Sequence, residues 1–264
     1  MKNKLIQNHP YHLVTLSPWP IINALNLFNL LFSMIYWFNL NMFMLVMFNF
    51  LTLIISMNLW WRDIIRESTF QGNHTMSVTK LLKLSMILFI TSELFFFISF
   101  FWTYFHNSIS PSIEIGMMWP PKNIYPLNPF KLPLLNSLIL ISSGFTLTWS
   151  HNCILNKKYK KSIKTLFLTI ILGLLFMMIQ FFEYFETPFC INDSIFGSIF
   201  FLTTGFHGLH VMIGIIFLLY SMIRLNKFHF SSIHHFNFES SSWYWHFVDV
   251  IWLFLYLSIY WWNF

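Results

Sequence analysis

Seven apolar runs, each long enough to cross a bilayer, follow one another from Pro18 to Trp262 with only short polar gaps between them. A spanning helix needs about 20 largely apolar residues, and in hydrocarbon every backbone polar group must be satisfied within its own segment or barrel. Cut at the polar gaps, the runs fall near 18–37, 41–61, 81–106, 132–154, 163–185, 195–224 and 240–262. They are continuous instead of alternating apolar with polar, which predicts helices and not barrel strands. Charged residues make up 9% of the chain and mean hydropathy is +0.61, whereas a soluble domain carries roughly a quarter charged residues. Water cannot solvate such a chain, and the predicted fold is an all-α polytopic membrane protein with seven transmembrane helices.

The basic residues support the cutting. Lys2 and Lys4, then Arg62, Arg66, Lys80 and Lys83, then Lys157, Lys158, Lys160, Lys161 and Lys164, then Arg224 and Lys227 fall in alternate gaps, and only Lys122 and Lys131 lie in the others. Basic loops stay on the side of negative potential, so the N-terminus is expected there and Trp262-Asn263-Phe264 opposite. A net charge of +6 would suit nucleic acid only if it were clustered with aromatics on a polar surface; here it is spread through loops. Two cysteines, Cys153 and Cys190, make neither a disulfide framework nor a metal set. Met1 to Pro20 contains no apolar core followed by a small-residue cleavage site, so the first run is expected to be retained. Alanine occurs once, at Ala24, while Phe, Ile, Asn and Lys abound, as an AT-rich gene of an organelle or of a small genome would produce.

The polar interval 62–80 suggests a division into an N-terminal segment with helices 1 and 2 (1–61), a loop (62–80) and a five-helix bundle (81–264). The second long loop, 107–131, contains Pro111, Pro120, Pro121, Pro126 and Pro129, which favour extended and turn backbone. No internal repeat is evident, so an inverted-repeat transporter finds no support.

Ionisable residues inside spans are functional candidates because burial in hydrocarbon is costly. Glu93 lies twelve residues beyond Leu81, roughly 18 Å along a helix and near mid-membrane. His207 and His210 share a helix face at i, i+3, as do His246 and Asp249. Two imidazoles at that spacing fall short of a metal site, which needs further ligands, and polar contacts between helices account for them better. Eleven histidines raise a membrane di-iron desaturase or hydroxylase, and Glu93 with Asp249 raises a proton-coupled transporter. The His229, His234 and His235 loop is not one of several repeated clusters on one face, so no metal ligand set is expected. Trp60-Trp61-Arg62-Asp63 and Arg66-Glu67 place aromatics and guanidinium groups at a membrane boundary, where they would seat a lipid phosphate or simply anchor the helix. Glu183 and Glu186 fall near the end of the fifth run and are expected at the interface.

Several stretches carry a family signature: His9-Pro10-Tyr11-His12, Ser17-Pro18-Trp19-Pro20, Trp60 to Gly72, Ser92-Glu93, Trp119-Pro120-Pro121, Glu183-Tyr184-Phe185-Glu186, Thr204 to Val211 and, above all, His234 to Trp262. Over nearly its whole length the chain resembles the mitochondrial-type cytochrome c oxidase subunit III family. The resemblance implies a two-helix hairpin and a five-helix group forming a V-shaped lipid cleft. It places the N-terminus in the matrix and the C-terminus in the intermembrane space of the mitochondrial inner membrane. It implies no catalytic residue, metal or redox cofactor in this chain, with haem a, haem a3, CuA and CuB carried by partner subunits I and II. Structural phospholipids are implied at Trp61, Arg62, Arg66, His74, Glu93, Trp102, Arg224 and His234. Asn73 and Asn152 stand where relatives commonly have histidine, so neither supplies an imidazole here.

Overall fold

The computed structural model describes residues 10–263, so Lys2, Lys4 and His9 lie outside the described residues. Among the described residues seven long helices are present: α1 (Trp19–Leu40), α2 (Phe43–Thr69), α3 (Met76–Ile109), α4 (Leu132–Leu155), α5 (Tyr159–Glu186), α6 (Ile195–Asn226) and α7 (Phe236–Leu255). A π-helical turn, Tyr256–Trp261, continues α7, and a short 3-10 turn, Ile113–Ile115, sits in the proline-containing loop. No strand occurs among the described residues. α1 to α6 are long and apolar enough to cross a membrane. α7 falls short on its own composition because Glu239, three serines, His246 and Asp249 dilute its apolar residues. The helix nevertheless turns one face onto its neighbours: Trp245, Val248, Ile251 and Trp252 are each at most 1% exposed, and Ser241 meets Ser221 of α6 at 3.1 Å.

By contact the chain divides into two compact units, Met1–Leu82 and Lys83–Phe264. In the first unit, Pro20 suits the first turn of α1, where its missing N–H is no loss. Asn41 adopts the left-handed conformation (φ 55°) and returns its N–H to Trp37 O, closing α1 and turning the chain into α2. The interior of this hairpin is mostly polar. Its buried helix residues are Asn23, Ser33, Val46 and Ser56. Ser56 Oγ donates to Asn23 Oδ1 at 2.8 Å and accepts from Asn26 Nδ2 at 2.9 Å. Apolar packing gains little where lipid is as apolar as leucine, so small and amide side chains hold the two helices together.

The sequence places a loop at 62–80, but α2 continues to Thr69 and α3 begins at Met76. The charged residues extend the helix beyond the apolar run, with Asp63 pairing along it: Arg66, one turn on, places Nη1 3.7 Å from its Oδ1, and the adjacent Arg62 Nε lies 3.2 Å away. Residues 70–75 make the connection.

In the second unit, small residues let the helices approach. Ser150 and Ser162 join α4 to α5 through hydroxyls 2.9 Å apart, as do Thr146 and Thr169 at 2.8 Å. Trp245 is fully buried, and its indole donates to Ser143 Oγ at 2.9 Å. Its ring fills space left by Gly173 of α5 and Gly214 of α6, where an added Cβ would lie 2.6 Å and 2.9 Å from indole carbons. Ser194 caps α6 by accepting from Gly197 N at 3.1 Å. Tyr104 and Trp119 both donate to Asn263 Oδ1, at 2.8 and 2.9 Å, tying the long loop to the C-terminal end.

Candidate functional site

Glu93 occupies the middle of α3, and α6 brings His210 against it. His210 Nε2 lies 2.8 Å from Glu93 Oε2, while His210 Nδ1 lies 2.7 Å from the Phe206 carbonyl one turn earlier. A carbonyl has no proton to give, so Nδ1–H is the donor there and Nε2 faces the carboxyl. One proton then lies in the Nε2–Oε2 contact, shared between an acid and an imidazole. Around the pair, Tyr244 stacks parallel to His210 (14°, centroids 6.3 Å), and Phe97 meets its edge at 4.9 Å.

The pair opens into a cavity of about 420 Å³ whose wall is mostly apolar, formed by Phe89, Phe96, Phe206, Leu209 and Ile213. Glu93 keeps 26% of its side chain exposed, against 9% for His210. An apolar chain can therefore reach the carboxyl without crossing the packed core. Depth along the run identifies Glu93 from sequence; its partner, 117 residues away, emerges only from the fold.

The other candidate ionisables separate. His207 does not share a site with His210: it is 1% exposed, contacts the Val248 carbonyl of α7 through Nε2 at 3.2 Å and lies against Trp252 with ring centroids 5.1 Å apart. Those contacts are interhelical. His246 and Asp249 do pair, Nδ1 to Oδ2 at 3.4 Å, over Gly144 of α4, where a Cβ would come within 3.0 Å of Asp249 Oδ2.

The residues implied for lipid fall in both units. In the first, Trp19 Nε1 donates to Asp63 Oδ2 at 2.7 Å, and Asp63 draws Arg62 and Arg66 to the same edge, where their side chains remain 47% and 57% exposed. Trp61 and His74 are half-buried nearby in sequence. In the second unit, Trp102 is 74% exposed on α3. Arg224, in the last turn of α6, stacks over Phe230 at 4.8 Å. His229 and His234 follow in the loop. Burial holds both imidazoles below their ordinary pKa, and the Arg224 guanidinium adds repulsion. The loop therefore carries neutral histidines around a fixed cation.

Two clusters are not evident from the sequence. The sequence places Glu183 and Glu186 together near the end of the fifth run, and the structure separates them by burial: Glu183 is 1% exposed while Glu186 is exposed. Tyr260 OH donates to Glu183 Oε1 at 2.5 Å, Gln180 Nε2 donates to the same oxygen at 3.3 Å, and Gln180 Oε1 accepts from Asn136 at 3.3 Å. Gln180 and Glu183 at i, i+3 in an otherwise apolar run were the available signal. The second cluster joins His151, His235 and Glu239 at one end of the unit.

Comparison with known proteins agrees with the signature read from the residues. Residues 9–264 match the family model for cytochrome c oxidase subunit III. Cytochrome c oxidase subunit 3 of Rhipicephalus sanguineus is 58% identical over 255 residues, covering 96% of this chain and 99% of that protein. The Pisaster ochraceus protein of the same name is 53% identical over 259 residues, 98% and 100% of the two chains, and that of Latimeria chalumnae 52% over 257 residues, 97% and 98%. A seven-helix chain of this composition, matched from its ninth residue to its last, belongs to the cytochrome c oxidase subunit III family.

Proposed function

We propose that the chain is the third core subunit of respiratory complex IV in the mitochondrial inner membrane. The assembled enzyme passes electrons from cytochrome c to oxygen, forms water and pumps protons. This chain contributes no redox centre; haem a, haem a3, CuA and CuB belong to subunits I and II. Its own task is to hold phospholipid and steady the catalytic subunits. The observation that carries this reading is the Glu93–His210 pair at the mouth of an apolar cavity of about 420 Å³, chemistry suited to an acyl chain beside a single polar anchor. Exposed Arg62 and Arg66 beside Trp61 supply donors for a phosphate in the first unit, and Arg224, His234 and Trp102 extend the lipid contacts of the second. The excess of Lys and Arg in alternate loops supports an N-terminus in the matrix and a C-terminus in the intermembrane space.

A di-iron desaturase or a stand-alone transporter is disfavoured by the end-to-end family match. Native electrophoresis of solubilised membranes, probed for this chain and for haem absorbance, tests the proposal. Co-migration with a haem-copper complex containing subunits I and II is expected. A chain that migrates alone, or with iron and no haem partner, refutes it.

A further inference from the structure

The end of the second unit where α4 finishes and α7 begins brings together three potential metal ligands with no part in the Glu93 cavity. His151 Nε2 faces His235 Nε2 at 3.1 Å, and His235 Nε2 lies 3.4 Å from Glu239 Oε1. All three donor atoms lie within 4.8 Å of one another. Two ligand bonds of about 2.0 to 2.1 Å meeting at a tetrahedral angle set their donors about 3.3 to 3.4 Å apart, so both contacts match ligands sharing one small ion.

The surroundings orient these donors. His235 Nδ1 is 3.0 Å from the Ser231 carbonyl, which fixes the proton on Nδ1 and leaves Nε2 with its lone pair toward His151 and Glu239. His151 is held flat against Phe238, rings 26° apart with centroids 5.7 Å apart. Glu239 gives its other oxygen, Oε2, to Lys83 Nζ at 2.6 Å, leaving Oε1 directed at the imidazoles. His235 is buried (4% exposed), whereas Glu239 keeps 19% of its side chain exposed, so water can fill a fourth position.

We propose that His151, His235 and Glu239 bind one divalent transition-metal ion, zinc by its preference for two imidazoles, a carboxylate and a water. The expectation of no metal ligand set rests on linear spacing and on the family resemblance, but His151 and His235 are 84 residues apart and meet only in the folded bundle. Zinc is redox-inactive, so the site is compatible with a subunit that carries no electron centre. The ion would clamp the end of α4 to the start of α7, with Lys83 of α3 bracing the carboxylate.

The full chain in lipid nanodiscs, stripped with a chelator and titrated with zinc, tests this. One zinc per chain is expected. H151Q and H235Q should each weaken binding by more than about tenfold, whereas H151C, which restores a thiolate ligand, and H106Q, at an exposed histidine elsewhere, should retain it. Equal binding by H151Q, H235Q and the unaltered chain overturns the proposal, as does a loss in H151C as severe as in H151Q.

Discussion

His210 Nε2 and Glu93 Oε2 stand 2.8 Å apart, and the second ring nitrogen of His210 is already committed to the Phe206 carbonyl. The histidine can therefore meet only a group that shares a proton with Nε2, and the carboxyl of Glu93 is that group. H210L strands the acid against phenylalanine rings. E93Q keeps a donor, because an amide N–H can serve the Nε2 lone pair. With Glu93 a quarter exposed, the loss for H210L is expected at about 1–2 kcal/mol, below the cost of breaking a fully buried pair, and for E93Q at less than about 0.5 kcal/mol. Thermal unfolding of the purified complex reads the difference.

Trp245 packs against two glycines, and this packing is sensitive to single methyl groups. G173A and G214A each force a Cβ toward an indole that is fully buried and cannot retreat. A loss of about 1–3 kcal/mol is expected for each. At Gly205 an added Cβ meets only the Tyr184 hydroxyl, at 4.0 Å, so G205A should leave the melting temperature almost unchanged.

The buried position of Glu183 predicts a contrast with its sequence neighbour Glu186. E183A leaves Tyr260 and Gln180 without their acceptor at a buried site. It should cost about 2–4 kcal/mol, the penalty of orphaned buried polar groups. E186A, at an exposed position, should fall within about 0.5 kcal/mol. Similar melting temperatures for the two variants would contradict a structural role for the buried Glu183 carboxyl.

The loop histidines predict a pH dependence. Burial, with repulsion from Arg224, holds His229 and His234 below 6.5 in the folded chain. When pH falls through 6.5 the unfolded chain takes up protons that the folded chain does not, so the contribution to stability is full above 6.5 and declines below it. Replacing both with asparagine should flatten the fall in melting temperature between pH 7.5 and 5.5. An unchanged slope would contradict the assignment.

Helix number and membrane class are legible in the sequence because apolar length is a local property. Ends are less so: Arg62, Asp63, Arg66 and Glu67 look like loop, yet α2 runs on to Thr69 with Asp63 paired to Arg66 one turn on and to the adjacent Arg62. Glu93 is legible by depth alone, whereas His210 as its partner and His207 as an unrelated interhelical contact require the folded bundle, in which α6 turns His210 to α3 and His207 to α7. The burial of Glu183 is not legible because distance from the end of an apolar run says nothing about which face turns inward, and Tyr260, its donor, lies 77 residues further on.

Treating the intact complex with an apolar carbodiimide and mapping the modified carboxyls by mass spectrometry tests the Glu93 cavity most directly. Glu93 is expected to be labelled selectively, while Glu67, Glu114 and Asp193 largely escape, and added phospholipid should protect it. Labelling spread evenly over all carboxyls, or unaffected by lipid, would contradict a lipid-holding cavity at Glu93.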